Sequence, residues 1–558
     1  MPSQGSTQRL YWIWLLPLAF AAVLILYPTL MLIAGSFSDA PPGEPGNLTI
    51  RNYIDAIGDK GFYKIAFNSF WMAVLATVLS VSSGFFLAWL VNRTDVPFRR
   101  SIEAAAILAF LIPGSLQAIG WAVLANPDSG IVNSAWRSLT GSPRPLIDIY
   151  SYAGIAFVLA QHAAGFVYLM LIGPMRNLDP SLEESARMSG ASGWQVFAKV
   201  QLPLLWPAVL PLAVLAFIRA IESFEVPVIL GTPARVFVIT NEIYYKLKIL
   251  SPPEYGIAIA LSVMISLVMG ILLAVHGRLA VRRSVASLTG KGYRPRRVDL
   301  GRWRWPCLAL ALGFALLSSL APLGIIVTAS FFKVFGLFEL RLLTLDNYVD
   351  VLGDPAVFRA VGNTLLLMAA AASVCVVLGG LSASAMHRSL RASRGAAEAV
   401  LSVPWAMPGL VFGMAMLWAY ISLPGFYGTL LVLGVAYVTL GLPIGVRSAS
   451  AILDQLSPDL EESALMHGAT QWQTVMRIVV PLAWPGLVAA WFVLATIFSR
   501  ELAASVMLYG HGSETVSVML LGYWEQGKGT YVAVMAVIML AILGVLIAAE
   551  RIVVRKQE

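Results

Sequence analysis

Charge and cysteine are both scarce in this chain. Only 12% of its 558 residues are Asp, Glu, Lys or Arg, and there are two cysteines. Soluble domains carry about 25% charged residues, so a solvated globule is excluded. Cys307 and Cys375 both fall inside apolar stretches, which leaves no disulfide framework to read. A phosphate-binding loop is also missing. The nearest string, Thr289-Gly290-Lys291-Gly292, lacks both the upstream glycine and the hydroxyl residue that such a loop needs. No metalloenzyme spacing of His, Cys and Glu and no nucleophile elbow occurs either. The chain is expected to be neither an ATPase nor any other enzyme, and to bind no cofactor itself.

What is present is apolar length, with 58% of the residues hydrophobic. Stretches of roughly 20 apolar residues match the thickness of a bilayer core. Twelve are read as transmembrane helices, at 12–35, 67–91, 102–125, 151–173, 205–230, 255–277, 305–330, 363–387, 396–422, 430–447, 485–510 and 529–550. Helices are the form that satisfies backbone groups within the segment. The first stretch is too long for a signal-peptide core and no small-x-small site follows it closely, so it is read as a retained span. The expected fold is an all-α integral membrane protein.

A net charge of +8 could point to nucleic acid, but the basic residues lie beside helix ends, where a positive-inside bias puts them. With the N-terminus cytoplasmic, inside segments hold 24 Lys/Arg and outside loops 12, with Arg219 and Arg500 inside spans. No nucleic-acid partner is expected, and both termini are read as cytoplasmic. The heaviest cluster, from Arg278 to Arg304, contains Gly290, Gly292 and Pro295. It reads as a basic linker (278–304) between halves at 1–277 and 305–558.

A polar repeat supports that division. Glu183 to Pro207, EESARMSGASGWQVFAKVQLPLLWP, returns at Glu461 to Pro485 as EESALMHGATQWQTVMRIVVPLAWP, with 13 of 25 positions identical. Asn68-Ser69 and Asn363-Thr364 open matching spans, and Pro113 and Pro408 interrupt matching helices. Both copies of the polar repeat fall on the cytoplasmic side, so the halves are parallel and related by an axis along the membrane normal. In each copy Asp179-Pro180 or Ser457-Pro458 starts a short helix. Gly190 or Gly468 ends it in a left-handed turn. Ser192…Gln195 or Thr470…Gln473 then forms a capping box. The second short helix is expected to stop at Pro203 or Pro481. Acidic pairs at the leading end, Glu183-Glu184 and Glu461-Glu462, disfavour an anionic membrane surface and favour docking to a partner.

The pattern Glu184, Ser185, Ala186, Gly190, Val200, Leu202, Pro203 resembles the EAA signature of permease subunits in binding-protein-dependent ABC importers. Glu462, Ser463, Ala464, Gly468, Ile478, Val480 and Pro481 repeat it, with serine for the middle alanine in both copies. The resemblance implies two tandem MetI-like halves of six helices in a bacterial inner membrane. It also implies a coupling helix in each loop, gripped by a cytoplasmic ATPase subunit, the two ATPases forming a homodimer that uses ATP and Mg. A periplasmic substrate-binding protein would deliver the cargo.

Three carboxylates sit in the apolar stretches. Glu222 and Glu225 are three apart, so they are expected to share a helix face, and Glu501-Leu502 with Gly510 parallels Glu222-Ser223 with Gly231. They are candidates for a cation path, or else structural partners of Arg219, Arg500 and neighbouring helices. The stretch ESFEVPVILGTPARVFVITNEIYYKLKILSPPEYGI, Glu222 to Ile257, resembles the ferric-iron branch of the family. Ferric ion prefers oxygen ligands, which suits Glu222, Glu225 and Glu501 as transient ligands. Glu242, Tyr244, Tyr245 and His511 are candidates on the outer side. Thiamine or phosphonate are the alternative cargoes. An ion-coupled secondary transporter or a membrane scaffold are the alternatives of another class.

Overall fold

The computed structural model describes residues 4–281, 297–388 and 394–555. The basic residues of the expected linker from Arg282 to Arg296 lie outside them. Among the described residues the chain is helical, with only isolated β-bridges. Among the described residues ten helices are long and apolar enough to cross a membrane. In chain order the main helices are α1 Gln4–Ser36, α2 Phe62–Arg93, α3 Arg99–Leu111, α4 Gly114–Ala125, α5 Tyr152–Arg176, α6 Pro180–Met188, α7 Gly193–Glu222 and α8 Tyr255–Val281. Then follow α9 Gly301–Ala329, α10 Pro355–Arg388, α11 Arg394–Leu401, α12 Gly409–Tyr420, α13 Leu430–Leu453, α14 Pro458–Met466, α15 Trp472–Phe498 and α16 Gly529–Arg555.

Two of the twelve expected spans are not simple helices. The 102–125 stretch is the pair α3 and α4, bent by 101°. The 396–422 stretch is α11, a 3₁₀ turn at Val403–Ala406, and α12. At 12 residues α12 covers only about 18 Å, short of a hydrocarbon core of about 30 Å. Proline causes both breaks. It disfavours helical geometry in the residue before it, and Ile112 and Met407 are extended (ψ 130° and 127°) ahead of Pro113 and Pro408.

Two more spans are displaced. The stretches at 205–230 and 485–510 end earlier than expected, at Glu222 and Phe498, and begin earlier, at Gly193 and Trp472. The supposed stop at Pro203 and Pro481 is therefore corrected. Each proline is passed by a single π turn, Phe197–Gln201 or Val475–Val479, in which Leu202 N–H bonds Phe197 O and Val480 N–H bonds Val475 O. Shifting the ladder by one residue accommodates the proline without ending the helix.

The chain forms two compact units that do not follow the sequence halves. One comprises 56–253 and 267–347, and the other comprises 1–55, 254–266 and 348–558. In the first unit α2 packs along α5, with α7 and α3 alongside, and α9 covers α4. Gln117 Nε2 in α4 donates to Ser318 O of α9 at 3.0 Å. A Cβ on Gly84 would lie 2.6 Å from Val167, so α2 and α5 touch through their backbones. In the second unit α10 packs along α13 and α15, and α1 lies on α12 and α10. Gly379 brings α10 equally close to Gly445 of α13, and Tyr27 Oη donates to Ala419 O at 3.2 Å. The first span of each half thus belongs to the unit built mainly from the other half.

The matched Asn-Ser and Asn-Thr pairs do the same job in both units. Asn68 Nδ2 donates to Phe237 O at 2.9 Å, and Ser69 Oγ accepts from Ile239 N–H at 2.9 Å. Asn363 Nδ2 donates to Gly512 O and Glu514 O at 3.0 and 2.9 Å, and Thr364 Oγ1 accepts from Val516 N–H at 3.0 Å. Each pair clasps the loop that follows the broken end of α7 or α15. A buried carbonyl left without its donor costs about 1–3 kcal/mol. Asn363→Leu strands two carbonyls and Asn68→Leu one. We therefore expect the detergent-solubilised protein to lose about 4–8 °C of unfolding midpoint with the first and roughly half that with the second. Equal shifts in the two variants would refute this account.

Candidate functional site

The two polar repeats fold into matching elbows. In the first, Asp179 caps α6 by accepting Ser181 N–H at 2.8 Å, with Pro180 at the first helical position. Gly190 ends the helix at φ +84°, and Ala191 N–H reaches back to Ala186 O at 3.0 Å. Ser192 and Gln195 close a complete capping box at the start of α7, with bonds of 2.8 and 3.3 Å. In the second, Ser457 Oγ accepts Asp459 N–H at 3.3 Å, and Gly468 also stands at φ +84°. Ala469 N–H bonds Ala464 O at 3.1 Å, and Thr470 and Gln473 form a box at 2.9 and 3.2 Å. A helix of nine residues, a left-handed glycine and a capped second helix thus recur with the same bonds.

The elbows present apolar surface outward at equivalent positions. Met188 and Met466 are 90% and 88% exposed, and Trp194 and Trp472 are exposed as well. Sequence reading singled out the acids here and missed these side chains. The methionines lie in the repeat itself, so their identity was visible. Their exposure was not.

The acidic pairs split. Glu184 and Glu462 are exposed, together with Ser185 and Ser463, while Ala186 and Ala464 are half-buried. Glu183 turns inward instead and forms a buried ion pair with Arg93, the last residue of α2. Glu461 is half-buried. Nearby, Arg304 Nη2 on α9 lies 2.5 Å from Asp95 Oδ2. The backbone N–H of Leu300, followed by that guanidinium, holds the Asp95 carboxyl below the usual range. The end of the basic linker is pinned there, since Val298 N–H also bonds Arg93 O at 2.7 Å.

The three carboxylates of the apolar stretches are all engaged. The expectation that Glu222 and Glu225 share a helix face is overturned, because α7 ends at Glu222 and Ser223 is extended (ψ 128°). Pro227 accounts for the break, since its ring would meet the carbonyl of Ser223 in a continuing helix. Glu222 Oε1 pairs with Arg219 Nη1 at 2.5 Å. Glu225 Oε2 accepts the N–H of Ser115 in the first turn of α4 at 2.8 Å. Glu501 Oε1 accepts Ala504 N–H at 2.7 Å, and a Cβ on Gly409, where α12 begins, would lie 3.5 Å from it. Arg500 and Glu501 follow the end of α15 and lie outside the span.

On the remaining candidates, Glu242 is buried beside Lys246 (3.4 Å), which also reaches Asp59 (3.5 Å). Tyr244 packs edge-on against Phe224 and Tyr245 against Phe237. His511 is exposed. Among the described residues no three His, Cys, Asp or Glu side chains come together as a metal site.

Residues 10–284 and 375–557 match the family described as the binding-protein-dependent transport system inner membrane component. The chain belongs to this family. It is the permease of an ABC importer, a multi-pass protein of an inner-membrane family, as the resemblance implied. The permease is 26% identical over 532 residues to the ferric transport system permease protein FbpB of Actinobacillus pleuropneumoniae, covering 93% of this chain and 75% of that protein. It is 25% identical over 562 residues to the probable ABC transporter permease protein y4fN of Sinorhizobium fredii, covering 97% and 96%. A solved bacterial ABC transporter involved in the import of the acidic polysaccharide alginate matches 50% of the permease and 97% of its own chain, with 19% identity and a TM-score of 0.42.

Proposed function

We propose that the permease imports ferric iron across a bacterial inner membrane, driven by two cytoplasmic ATPase subunits that grip its elbows. The observation that carries the docking part is the bond-for-bond match of the two elbows, each rigidly capped and each presenting an exposed Met, Trp and Glu. Exposed apolar side chains ringed by polar ones mark a protein interface. Two plugs of the same build call for two copies of one socket, hence a homodimer. ATP and Mg belong to that dimer, and the permease itself hydrolyses nothing. Both termini then lie in the cytoplasm, and a periplasmic binding protein delivers the cargo to the opposite face.

Closure of the ATPase dimer draws the elbows together. Because each elbow continues into α7 or α15 without a break, its motion is passed directly into the membrane. The central path then opens outward, and hydrolysis resets it. The cargo assignment is supported by similarity to a ferric permease across most of the chain and by the stretch from Glu222 to Ile257. A passing cation at Glu222, Glu225 or Glu501 has to compete with Arg219 and with two backbone N–H groups. That favours brief contact over a tight site.

The test is purification of the permease from native membranes, followed by reconstitution with its binding protein. An ATPase is expected to copurify, and radioactive ferric iron is expected to accumulate in an ATP-dependent way, while thiamine and phosphonate do not. Reversing the exposed acids, Glu184→Lys with Glu462→Lys, is expected to cut ATPase retention at least about tenfold, several salt-screened contacts being lost at once. Retention at the wild-type level would remove the elbows from the docking surface, and uptake driven by a proton gradient without ATP would replace the whole reading.

A further inference from the structure

Two adjacent residues fasten the end of α2, Arg93 to the first elbow and Asn92 to the end of α5 just before it. Arg93 is fully buried, and its partner Glu183 lies on α6 with its side chain 8% exposed. Asn92 Oδ1 accepts from Arg176 Nε, on the last residue of α5, at 3.0 Å. The two contacts bracket Asn177, Leu178 and Asp179, the segment that leads from α5 into the elbow helix. In the other unit, α10 ends with His387 and Arg388. Arg388 stands 25 residues after Asn363, as Arg93 stands 25 after Asn68. His387 Nε2 lies 2.8 Å from Asp454 Oδ1, and Asp454 occupies the place of Arg176, three residues before the helix cap. The end of the span that precedes each elbow is therefore tied to the second span of its own half at corresponding positions, with different side chains.

A buried ion pair is a weak means of adding stability, since apolar residues of the same shape do as well. Its distinguishing property is direction. It holds one register and resists sliding, because a charge pulled from its partner is left stranded. Ridge packing of α6 against its neighbours alone would let the short helix roll. We propose that the Arg93–Glu183 pair is the link through which a load on the first elbow reaches α2. The elbow then moves α2 and α5 together with α7, and does not merely flex at Gly190. Arg93 and Glu183 are positioning residues in this scheme, and the inference rests on the reading of the elbows as ATPase docking sites.

The variants are Arg93→Met, Glu183→Gln, and the exchange Arg93→Glu with Glu183→Arg, each studied as the complete complex with ATPase and binding protein in proteoliposomes. Three quantities are read: ATPase retained, ATP hydrolysed, and cargo moved per ATP. For Arg93→Met and Glu183→Gln we expect retention and hydrolysis within about twofold of wild type, with cargo per ATP down about tenfold. The exchanged pair is expected to recover at least half of the lost coupling. Cargo per ATP unchanged in both single variants would overturn the proposal. So would uptake and hydrolysis falling in parallel with the unfolding midpoint, which is what a purely structural pair produces. Glu183→Gln guards against misfolding, because it keeps the side-chain shape and an acceptor oxygen. If the wild-type complex holds no ATPase, the docking reading has failed on its own control and the link has no load to carry.

Discussion

Replacing Gly190 and Gly468 together by valine is expected to lower uptake about 30- to 1,000-fold while leaving the permease folded in the membrane. Both residues stand at φ +84°, and a Cβ at either would meet nothing within 4 Å. The cost is purely conformational. An L-residue in the left-handed region loses roughly 1–2 kcal/mol, and a β-branched one more. Two such turns therefore cost about 2–4 kcal/mol, enough to depopulate the paired elbow geometry about 30- to 1,000-fold. Asparagine, which tolerates the left-handed region, is expected to retain most activity at both positions. Uptake and ATPase retention measured side by side on the same membranes decide the matter. A valine pair that transports normally would show that the sharp corner has no part in coupling.

The second large effect is expected at Glu225. Its carboxylate accepts the N–H of Ser115 where α4 starts after the proline break, a position in which a negative charge also meets the positive end of the helix. Glu225→Leu removes the acceptor and leaves a partly buried donor unmatched, a loss of about 1–3 kcal/mol. Uptake should fall about 10- to 100-fold. Glu225→Gln keeps an acceptor oxygen and should stay within about threefold. A cation ligand predicts instead that glutamine is nearly as damaging as leucine, because loss of charge is then the damage. Iron uptake abolished by Glu225→Gln, with the fold intact, would restore the carboxylate to the transport path.

The elbows were legible because their signals are local. Asp179 before Pro180, Gly190 at the end of a short polar run, and Ser192 three residues before Gln195 each specify backbone geometry within one turn. All three appear as the cap, the left-handed turn and the closed box. The break at Pro113 was legible for the same reason. The passage of the helix through Pro203 was not, since a single widened turn leaves no composition mark. The end of α7 at Glu222 was obscured too, although Pro227 four residues past Ser223 was a usable sign. Arg93 and Glu183 are 90 positions apart, and nothing in one copy alone joins them. Only the paired spacing, Asn68 to Arg93 and Asn363 to Arg388, could have hinted at it.

The crossing of first spans between units bears on how the permease is made. α1 leaves the ribosome first, yet Tyr27 bonds Ala419, which lies 392 positions downstream. Until α10 and α12 are inserted, that helix lacks its main packing partners. Gln117 waits 201 positions for Ser318 in the same manner. The unit built mainly from the first half cannot close until α9 is made, and the other waits for the second half, so quality control must tolerate an open intermediate for most of translation. Joining the halves on one polypeptide guarantees that every waiting helix meets its partner in a one-to-one ratio.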